Sequence, residues 1–383
     1  MSRPAHRLPG FVNAHSHAFQ RRLRGVVERV DPDNPEDDFW SWRGAMYAAA
    51  GALDPDSIHA VCLAAYREMV GAGYVAVGEF HYPHHRPDGT AYDPPNAMAD
   101  AVAAAAAEAG IELVLLMTAY ERAGAGRPPS EGQRRFCDPS VAAYLSRVEE
   151  LAGRCPVGLA PHSVRAVSRS WLEEIARFAE ATGLVVHIHA NEQRRELEEC
   201  HAEHGLSPIE LLADVGLLGP RTTLIHCTHV SDRELDLVAE AGATICACPT
   251  TEANLGDGYL PALRIFERGI PLCIGSDSNT VIDPALELRE LEAIARRSSE
   301  RRNVLVPAGE DGPTGYLLDV GSRRGAVALG IDKPLPEVEI VRDHPVLRDV
   351  AEPDLAAALI FAADGSAIRP TRQGAARGLH PQP

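Results

Sequence analysis

Apolar runs rich in β-branched residues recur along the chain, and segments with a helical pattern of apolar positions separate them. Such runs are typical of buried strands, whereas apolar residues spaced three and four apart are typical of helices. The predicted strands are residues 11–17, 74–81, 111–120, 157–162, 184–192, 222–228, 243–249 and 271–277. Clear helical patterns cover residues 97–109, 171–182, 208–215 and 232–241. Eight strands that alternate with helices predict parallel pairing and closure into a (β/α)8 barrel of the TIM type.

The predicted domain organisation follows from where this alternation stops. We expect the catalytic barrel to span residues 8–330 and a short C-terminal segment to span residues 331–383. That segment holds two short apolar stretches and, from Ile368, a polar tail rich in Arg, Pro and Gly, which we expect to be mobile. A doubly wound open sheet is the alternative fold, but no G-x-G-x-x-G motif follows the first predicted strand.

The net charge of the chain limits which classes of function we expect. The chain has 383 residues, of which 45% are hydrophobic, and a formal net charge of −17. This charge argues against a nucleic-acid-binding protein, which needs a basic surface for the phosphates. It does not argue against a small acidic substrate, because a local pair of arginines can oppose the overall field.

The location of the protein is predicted from what the sequence lacks. No apolar run approaches the ~20 residues of a membrane helix, and residues 1–10 lack the hydrophobic stretch of a signal peptide. We therefore expect a cytoplasmic protein with no membrane partner. The eight scattered cysteines are expected to be reduced and mostly buried, since the pair Cys246 and Cys248 lacks the second pair of a zinc ribbon.

Polar residues that can bind a metal stand at the ends of several predicted strands. His15 and His17 lie two residues apart on the first strand, so their side chains point to the same face. The others are His189 and Glu192 on the fifth strand, His226 on the sixth and Asp277 on the eighth. Taken singly, each has a bland interpretation, such as a loop hydrogen bond or, for residues 275–278, a helix N-cap. Together they indicate an active site, because barrel enzymes keep their chemistry at the carboxyl ends of the strands.

This arrangement resembles the amidohydrolase superfamily, and within it the chain is similar to the formimidoylglutamate deiminases of histidine degradation. The stretches that carry the resemblance are LPGFVNAHSHAFQR (8–21), FWSWRGAMY (39–47), GEFHYPHH (78–85), SEGQRRF (130–136), HSVRAV (162–167), VHIHANEQ (186–193), TEANLGDG (251–258) and IGSDS (274–278). They span about residues 8–330 in the family's order.

The resemblance implies a role for each matching residue. The implied metal ligands are His15, His17, His189 and Asp277. The implied catalytic acid/base pair is Glu192 and His226. The implied substrate contacts are Gln20, Arg43, Tyr82, His162 and Arg165. Three imidazoles and one carboxylate suit a zinc ion with room for a water, and they leave Fe²⁺ and Mn²⁺ open.

The chemistry expected of these residues is a hydrolysis. A bound ion lowers the pKa of its water toward ~7, and Asp277 can accept the water's proton. Glu192 can then protonate the departing nitrogen while His226 steadies the developing charge. Binuclear members of the superfamily typically use a lysine-derived carbamate on strand four. Residues 157–162 contain no lysine, and Lys333 is the only lysine of the chain, so we expect one zinc per chain.

The expected reaction converts N-formimino-L-glutamate and water to N-formyl-L-glutamate and ammonia. Arg43 and Arg165 suit such a small acidic amidine, because guanidinium groups bind carboxylates in a two-pronged geometry. Without the resemblance, Arg43 would be interpreted as a solvated helix arginine stacked on a tryptophan. The alternatives are an aminohydrolase for another amidine or a heterocycle such as guanine, and a ligand-binding barrel without catalysis. A homodimer is compatible with the sequence.

Two features depart from the family pattern. Its members usually begin some tens of residues earlier, with strands of an accessory β-sandwich, so we expect that sandwich to be reduced or missing. Residues 337–343 and 358–370 are the candidate remnants. Asn279 stands where the family usually has a histidine, two residues after the expected aspartate ligand. We expect that position to lie near the metal and to alter substrate preference.

Overall fold

The computed structural model describes residues 6–30 and 38–371 of the protein. The strands are β1 (Arg7–Pro9), β2 (Phe11–Ser16), β3 (Tyr74–His81), β4 (Glu112–Ala119), β5 (Val157–Pro161), β6 (Val186–Ala190), β7 (Thr222–His226), β8 (Thr244–Ala247), β9 (Leu272–Ile274), β10 (Glu337–Ile340) and β11 (Ile368–Pro370).

The helices alternate with these strands. They are α1 (Phe39–Gly51), α2 (Pro55–Gly71), α3 (Ala97–Ala109), α4 (Val141–Ala152), α5 (Arg169–Thr182), α6 (Arg194–His204), α7 (Pro208–Asp214), α8 (Asp232–Ala241), α9 (Pro249–Leu255), α10 (Ala262–Glu267), α11 (Pro284–Ser299), α12 (Thr314–Asp319), α13 (Gly325–Ala328) and α14 (Leu355–Ala362). A π-helical turn at Val320–Arg324 joins α12 to α13. Within the described ranges no helix is long and apolar enough to cross a membrane.

The strands β2 to β9 form the predicted barrel. They lie side by side in chain order in one sheet of eight strands, and each neighbouring pair is parallel. A parallel bridge between Ser16 and Asp277 joins the segment after β9, at one edge of the sheet, to β2 at the other edge. The strand residues are almost all buried, as expected when helices cover a parallel sheet from outside and side chains fill it from inside. The fold class predicted from the sequence is confirmed.

A second, small sheet lies beside the barrel. Its three strands are antiparallel in the order β1, β10, β11, and the backbone nitrogen of Gly10 donates to the carbonyl of Pro336 at 2.8 Å where β1 leads into β2. The candidate remnant at 337–343 is thus a strand over its first part. The candidate at 358–370 is not a strand throughout: residues up to Ala362 belong to α14, and only Ile368–Pro370 joins the sheet.

The boundaries correct the sequence analysis in two places. The tail predicted from Ile368 begins as strand β11, and its residues 372–383 lie outside the described residues. Several predicted strands also ran too long, because they included the polar residues that follow the strand, whereas the strand predicted at 74–81 agrees with β3. His17, Glu192 and Asp277 all lie just beyond the last strand residue, in the loops at the barrel mouth. The division at residue 330 into barrel and C-terminal segment stays a prediction.

Candidate active site

Four side chains that can bind a metal meet at the carboxyl ends of the barrel strands. One ligand atom from each of these residues lies within 4.8 Å of the others: His15, His17, His189 and Asp277. The Oδ1 of Asp277 is 3.4 Å from Nε2 of both His15 and His17, and His17 Nε2 is 3.4 Å from His189 Nε2. All four side chains are buried. The structure therefore brings together the whole ligand set expected from the sequence.

Hydrogen bonds hold the backbone at Asp277 against β2 and the residue that follows it. The amide of Asp277 donates to the carbonyl of His15 at 3.0 Å, and the amide of His17 donates to the carbonyl of Asp277 at 2.8 Å. Asp277 itself has a positive φ of 45°, which few residues other than glycine adopt. Gly275 permits this approach, since a Cβ there would lie 2.7 Å from the Cβ and the carbonyl oxygen of His15. The barrel closes at a seam where β2 meets the segment that follows β9. The contacts of this seam fix His15 and His17 relative to Asp277.

The imidazoles of this cluster are oriented for a metal. Nδ1 of His17 bonds to the carbonyl of Phe80 and Nδ1 of His189 to the carbonyl of His162, both at 2.9 Å, so that each Nε2 faces the cluster. Burial lowers the pKa of His15, His17 and His189, and the repulsion between neighbouring imidazoles adds to it for His15 and His17. Neither ring nitrogen of the buried His15 has a hydrogen bond. Neutral imidazoles with unpartnered nitrogens beside a carboxylate fit a divalent ion such as zinc.

Glu192 and His226, the acid/base pair that the resemblance implies, lie beside the cluster of potential metal ligands. His226 Nε2 lies 3.6 Å from both Glu192 Oε1 and Asp277 Oδ2. On its other side, Nδ1 donates to Glu252 Oε1 at 3.4 Å. Burial alone would lower the pKa of His226, but Glu192, the hydrogen bond to Glu252 and Asp277 together raise it to about 10. A protonated imidazole held between carboxylates can stabilise negative charge that develops on a substrate.

Sequence reasoning assigned no role to three buried carboxylates around this pair. Glu252 holds His226, and Glu196 lies 3.5 Å from the Nε of Arg165. Asp257 accepts a short hydrogen bond from the side chain of Gln193, and its burial together with the charge of Glu192 raises its pKa to about 9. The stretch TEANLGDG contains Glu252 and Asp257, so the resemblance pointed to the segment without showing which side chains face the site.

The expected substrate contacts line one cavity with three of the four potential metal ligands. The space between these residues, together with the part that is open to solvent, is about 400 Å³. Its lining includes Gln20, Arg43, Tyr82, His162 and Arg165 together with His17, His189, Glu192 and Asp277. Gln20 Nε2 donates to the hydroxyl of Tyr82 at 2.8 Å, which fixes these two side chains relative to each other. The expected substrate contacts and three of the potential metal ligands thus face one common space.

The two arginines of the cavity have different surroundings. Arg165 is buried, and its Nη2 donates to Glu192 Oε2 at 3.1 Å. Arg43 lies on α1, where it donates to the hydroxyl of Tyr47 and, at 3.0 Å, to that of Tyr120. Its guanidinium also lies 5.3 Å from the ring centroid of Trp40. The stacking on tryptophan that the sequence suggested is present, but Arg43 faces the cavity and not the bulk solvent.

Asn279 does not line the cavity. Its buried side chain donates to Ser16 Oγ at 3.1 Å and to the carbonyl of Asp277 at 2.9 Å, and accepts from Ser276 Oγ at 2.6 Å. These hydrogen bonds of Asn279 therefore stabilise the backbone of the loop that carries Asp277. Asn279 thus lies near the cluster of potential metal ligands, as expected, although it is not among the residues that line the cavity. Its effect on substrate preference stays a prediction.

The comparisons with known proteins agree with this geometry. The model of the amidohydrolase family matches residues 7–340. This chain belongs to the amidohydrolase family. The resemblance on which the sequence analysis relied is confirmed, and the protein is a hydrolase that acts on C–N bonds.

Individual relatives cover most of this amidohydrolase. Formimidoylglutamate deiminase of Pseudomonas aeruginosa is 39% identical over 358 residues, which are 92% of this chain and 78% of that protein. The 5′-deoxyadenosine deaminase of Methanothermobacter thermautotrophicus is 27% identical over 333 residues, 86% of this chain and 70% of that protein. Among solved structures, an amidohydrolase from Brucella melitensis matches with a TM-score of 0.84 and 38% identity, covering 95% of this chain and 82% of that one.

Proposed function

We propose that this amidohydrolase deaminates N-formimino-L-glutamate, taking up one water and releasing N-formyl-L-glutamate and ammonia. The observation that carries the proposal is that Arg43 and Arg165 line the same cavity as His189, Glu192 and Asp277. Two guanidinium groups suit a substrate with two carboxylates, each of which can form charge-assisted hydrogen bonds. The identity of 39% to the formimidoylglutamate deiminase of Pseudomonas aeruginosa supports the same substrate.

The proposed cofactor is one zinc ion per chain, held by His15, His17, His189 and Asp277. A zinc ion so held supplies a Lewis acid and lowers the pKa of water toward ~7. The absence of any lysine from Val157–Pro161 supports a single ion, because no carbamate can form on that strand. Location in the cytoplasm, assembly as a homodimer and a place in histidine degradation remain predictions.

The chain's own groups divide the proton transfers. Asp277 takes the proton of the attacking water. Its Oδ1 faces His15 and His17, so the proton goes to Oδ2, which lies on the side of His226. Glu192 carries a proton to the departing nitrogen, which leaves as ammonia. His226, protonated between carboxylates, donates a hydrogen bond to the oxygen on which negative charge develops.

The second candidate function is an aminohydrolase for a heterocycle or another amidine. The relative that acts as 5′-deoxyadenosine deaminase gives this alternative its support. A neutral heterocycle, however, would leave the guanidinium of Arg43 without a charged partner in a partly dry cavity, which costs free energy. A ligand-binding barrel without catalysis is the third candidate, and the complete set of metal-binding and acid/base side chains in one place argues against it.

A substrate panel tests the proposal. The zinc-loaded protein is incubated with N-formimino-L-glutamate, formamidine, guanine and 5′-deoxyadenosine, and ammonia release is measured with identification of the second product. We expect the diacid to be turned over fastest, with N-formyl-L-glutamate formed in equal amount to ammonia. Faster release from a purine would overturn the substrate, and no release from any compound would support the non-catalytic barrel.

A further inference from the structure

A second group of metal-binding atoms lies next to the proposed zinc ligands. The thiol sulfur of Cys248, a ring nitrogen of His226 and a carboxylate oxygen of Asp277 lie within 4.8 Å of one another, and all three residues are buried. They come from three neighbouring strands: His226 ends β7, Cys248 directly follows β8, and Asp277 follows β9. Since parallel strands end at the same rim of a barrel, the three donors converge on one point.

Two atoms of this group face the position that an ion would occupy, although the protonated Nε2 of His226 has to lose its proton before it can bind. His226 is fully buried, and its Nε2 has no hydrogen-bond partner although it lies 3.6 Å from Asp277 Oδ2. The other oxygen of Asp277 faces His15 and His17 at 3.4 Å. The two oxygens of one carboxylate therefore face two different sets of donors. A carboxylate in that position can bridge two ions, which in two-metal sites lie roughly 3.5–4 Å apart.

We propose that His226, Cys248 and Asp277 form a second, inhibitory site for a thiophilic divalent cation, such as zinc in excess over the resident ion. The thiolate makes this site softer than the cluster of three histidines and one aspartate, and soft ligands favour zinc and similar ions over magnesium or calcium. When the ion binds, Cys248 releases its Sγ proton and His226 releases its Nε2 proton, both to solvent. The sulfur lone pair and the freed nitrogen lone pair form the bonds to the metal. No electron is transferred, so no oxidant or reductant is needed.

Occupation of this site would stop catalysis through the groups that it removes. His226 would lose the nitrogen that faces Glu192, and Asp277 would lose the oxygen that takes the proton of water. Glu192 Oε1, 3.6 Å from His226 Nε2, offers the ion a fourth donor. The inhibitory effect rests on the proposed function, whereas binding of the second ion does not, so the two can fail separately.

Two other buried thiols provide matched controls. Cys246 and Cys273 pack in the same small apolar cluster inside the barrel as Cys248. Neither belongs to a group of potential metal ligands within the described residues. Cys273→Ala thus removes a thiol of the same burial from the same cluster and leaves the proposed site intact.

The test uses Cd²⁺ as the probe on the full-length, zinc-loaded protein. A cadmium–thiolate bond gives a charge-transfer absorption in the ultraviolet, which the cluster of His15, His17, His189 and Asp277 cannot produce because it has no sulfur. The absorption and the metal content after dialysis are measured for wild type, Cys248→Ala, Cys248→Ser and Cys273→Ala, with circular dichroism to verify folding. Ammonia release is measured against Cd²⁺ or excess Zn²⁺, relative to each variant's own uninhibited rate.

We expect wild type and Cys273→Ala to bind about one extra cation per chain with the thiolate absorption and to lose activity as it binds. Both Cys248 variants should lose the absorption and need at least ~10-fold more cation for the same inhibition, as expected for loss of a metal contact. Equal absorption in wild type and the folded Cys248 variants, or none in wild type, would overturn the proposal. Absorption in a wild-type protein that releases no ammonia would instead overturn the proposed function alone.

Discussion

Glu192 is the residue on which the proposed proton transfers depend most, and its carboxylate has two partners. Oε2 accepts from Arg165 at 3.1 Å, while Oε1 lies 3.6 Å from His226 Nε2. A substrate carboxylate that binds Arg165 has to replace Glu192 as the partner of this guanidinium. We expect this exchange to leave Glu192 free to carry a proton to the departing nitrogen once the substrate is in place.

Replacing Glu192 by glutamine tests this role. Glu192→Gln keeps the size of the side chain but removes the group that carries the proton to the departing nitrogen, so kcat should fall by ~10² or more. Elemental analysis should show unchanged metal content, because Glu192 is not among the proposed ligands. A metal-replete variant with wild-type turnover would show that another residue moves the proton.

Glu79 is a buried carboxyl that lies behind the metal cluster. It accepts hydrogen bonds from Ser16 Oγ at 2.8 Å and from the backbone nitrogen of Ala18 at 2.7 Å, on either side of His17. Burial raises its pKa to about 8, although both hydrogen bonds act in the opposite direction. Between pH 4.5, the ordinary pKa of a glutamate, and pH 8, the folded protein therefore binds one proton more than the unfolded chain.

This difference makes stability depend on pH with a defined sign. The free energy of unfolding of the wild type should fall by about 1.4 kcal/mol per pH unit across that window from this group, and Glu79→Gln should lack the contribution. Urea unfolding of the metal-free proteins at about pH 5.5 and 7.5 should show the variant gaining about 2 kcal/mol relative to wild type. Any constant effect of altered hydrogen bonds cancels in this comparison. Equal pH slopes for the two proteins would contradict the shifted pKa.

At the scale of elements, helix α1 brings one of the two arginines to the mouth of the barrel. Its first turn is capped by the side chain of Asp38, which accepts from the backbone nitrogens of Trp40 and Ser41. Trp40 lies near three guanidinium groups: 5.3 Å from Arg43, 5.7 Å from Arg165 and 4.4 Å from that of Arg195. The start of α1 thus holds positive charge over the cavity of an otherwise acidic protein.

Alanine variants of the two cavity arginines test whether they bind the substrate's carboxylates. Arg43→Ala and Arg165→Ala should each lower kcat/KM for N-formimino-L-glutamate by at least ~10-fold, since a charge-assisted hydrogen bond contributes roughly 1.5–3 kcal/mol. Turnover of formamidine, which has no carboxylate, should hardly change in Arg43→Ala. In Arg165→Ala it should fall less than turnover of the diacid, because Arg165 also holds Glu192. Arg67→Ala, whose partner is the exposed Glu108, serves as the control for loss of a charge. Equal losses on both compounds would mean that the arginines are structural.

How much the sequence could predict also differs between elements. Hydrophobic runs located all eight barrel strands, and the polar residues at their ends predicted the metal cluster, because both signals are local. The loops beyond the strands were not predictable in the same way. Asn191, His226 and Asp277 all have a positive φ. Tertiary contacts impose this conformation, and no sequence pattern predicts it. The contacts of Asn279 with Ser16 likewise join residues far apart in the chain.

At the scale of the whole molecule, the proposed metal site spans the seam that closes the barrel. His15 lies on β2 and Asp277 follows β9, and these strands meet only when the eight-stranded sheet is complete. The unfolded chain has no preformed site, so the free energy of metal binding adds to the free energy of unfolding. Metal binding and closure of the barrel should therefore be coupled.

Removal of the metal tests this coupling. The active protein should contain about one ion per chain by elemental analysis, as expected for a single ligand cluster. After chelation, the free energy of unfolding should fall by about 4 kcal/mol relative to protein with free ion 1,000-fold above its Kd. Zinc added back should restore both stability and ammonia release. Identical unfolding curves with and without metal, or two ions in the uninhibited enzyme, would contradict this account.

The central claim is that this amidohydrolase acts on a small amidine that carries two carboxylates. The measurement that tests it most directly is the ratio of kcat/KM for N-formimino-L-glutamate to kcat/KM for formamidine, taken on the zinc-loaded protein. Both compounds present the same reacting group, so the ratio reports what Arg43 and Arg165 contribute to the transition state. Two charge-assisted contacts predict a ratio of at least ~100. A ratio near one would contradict the claim.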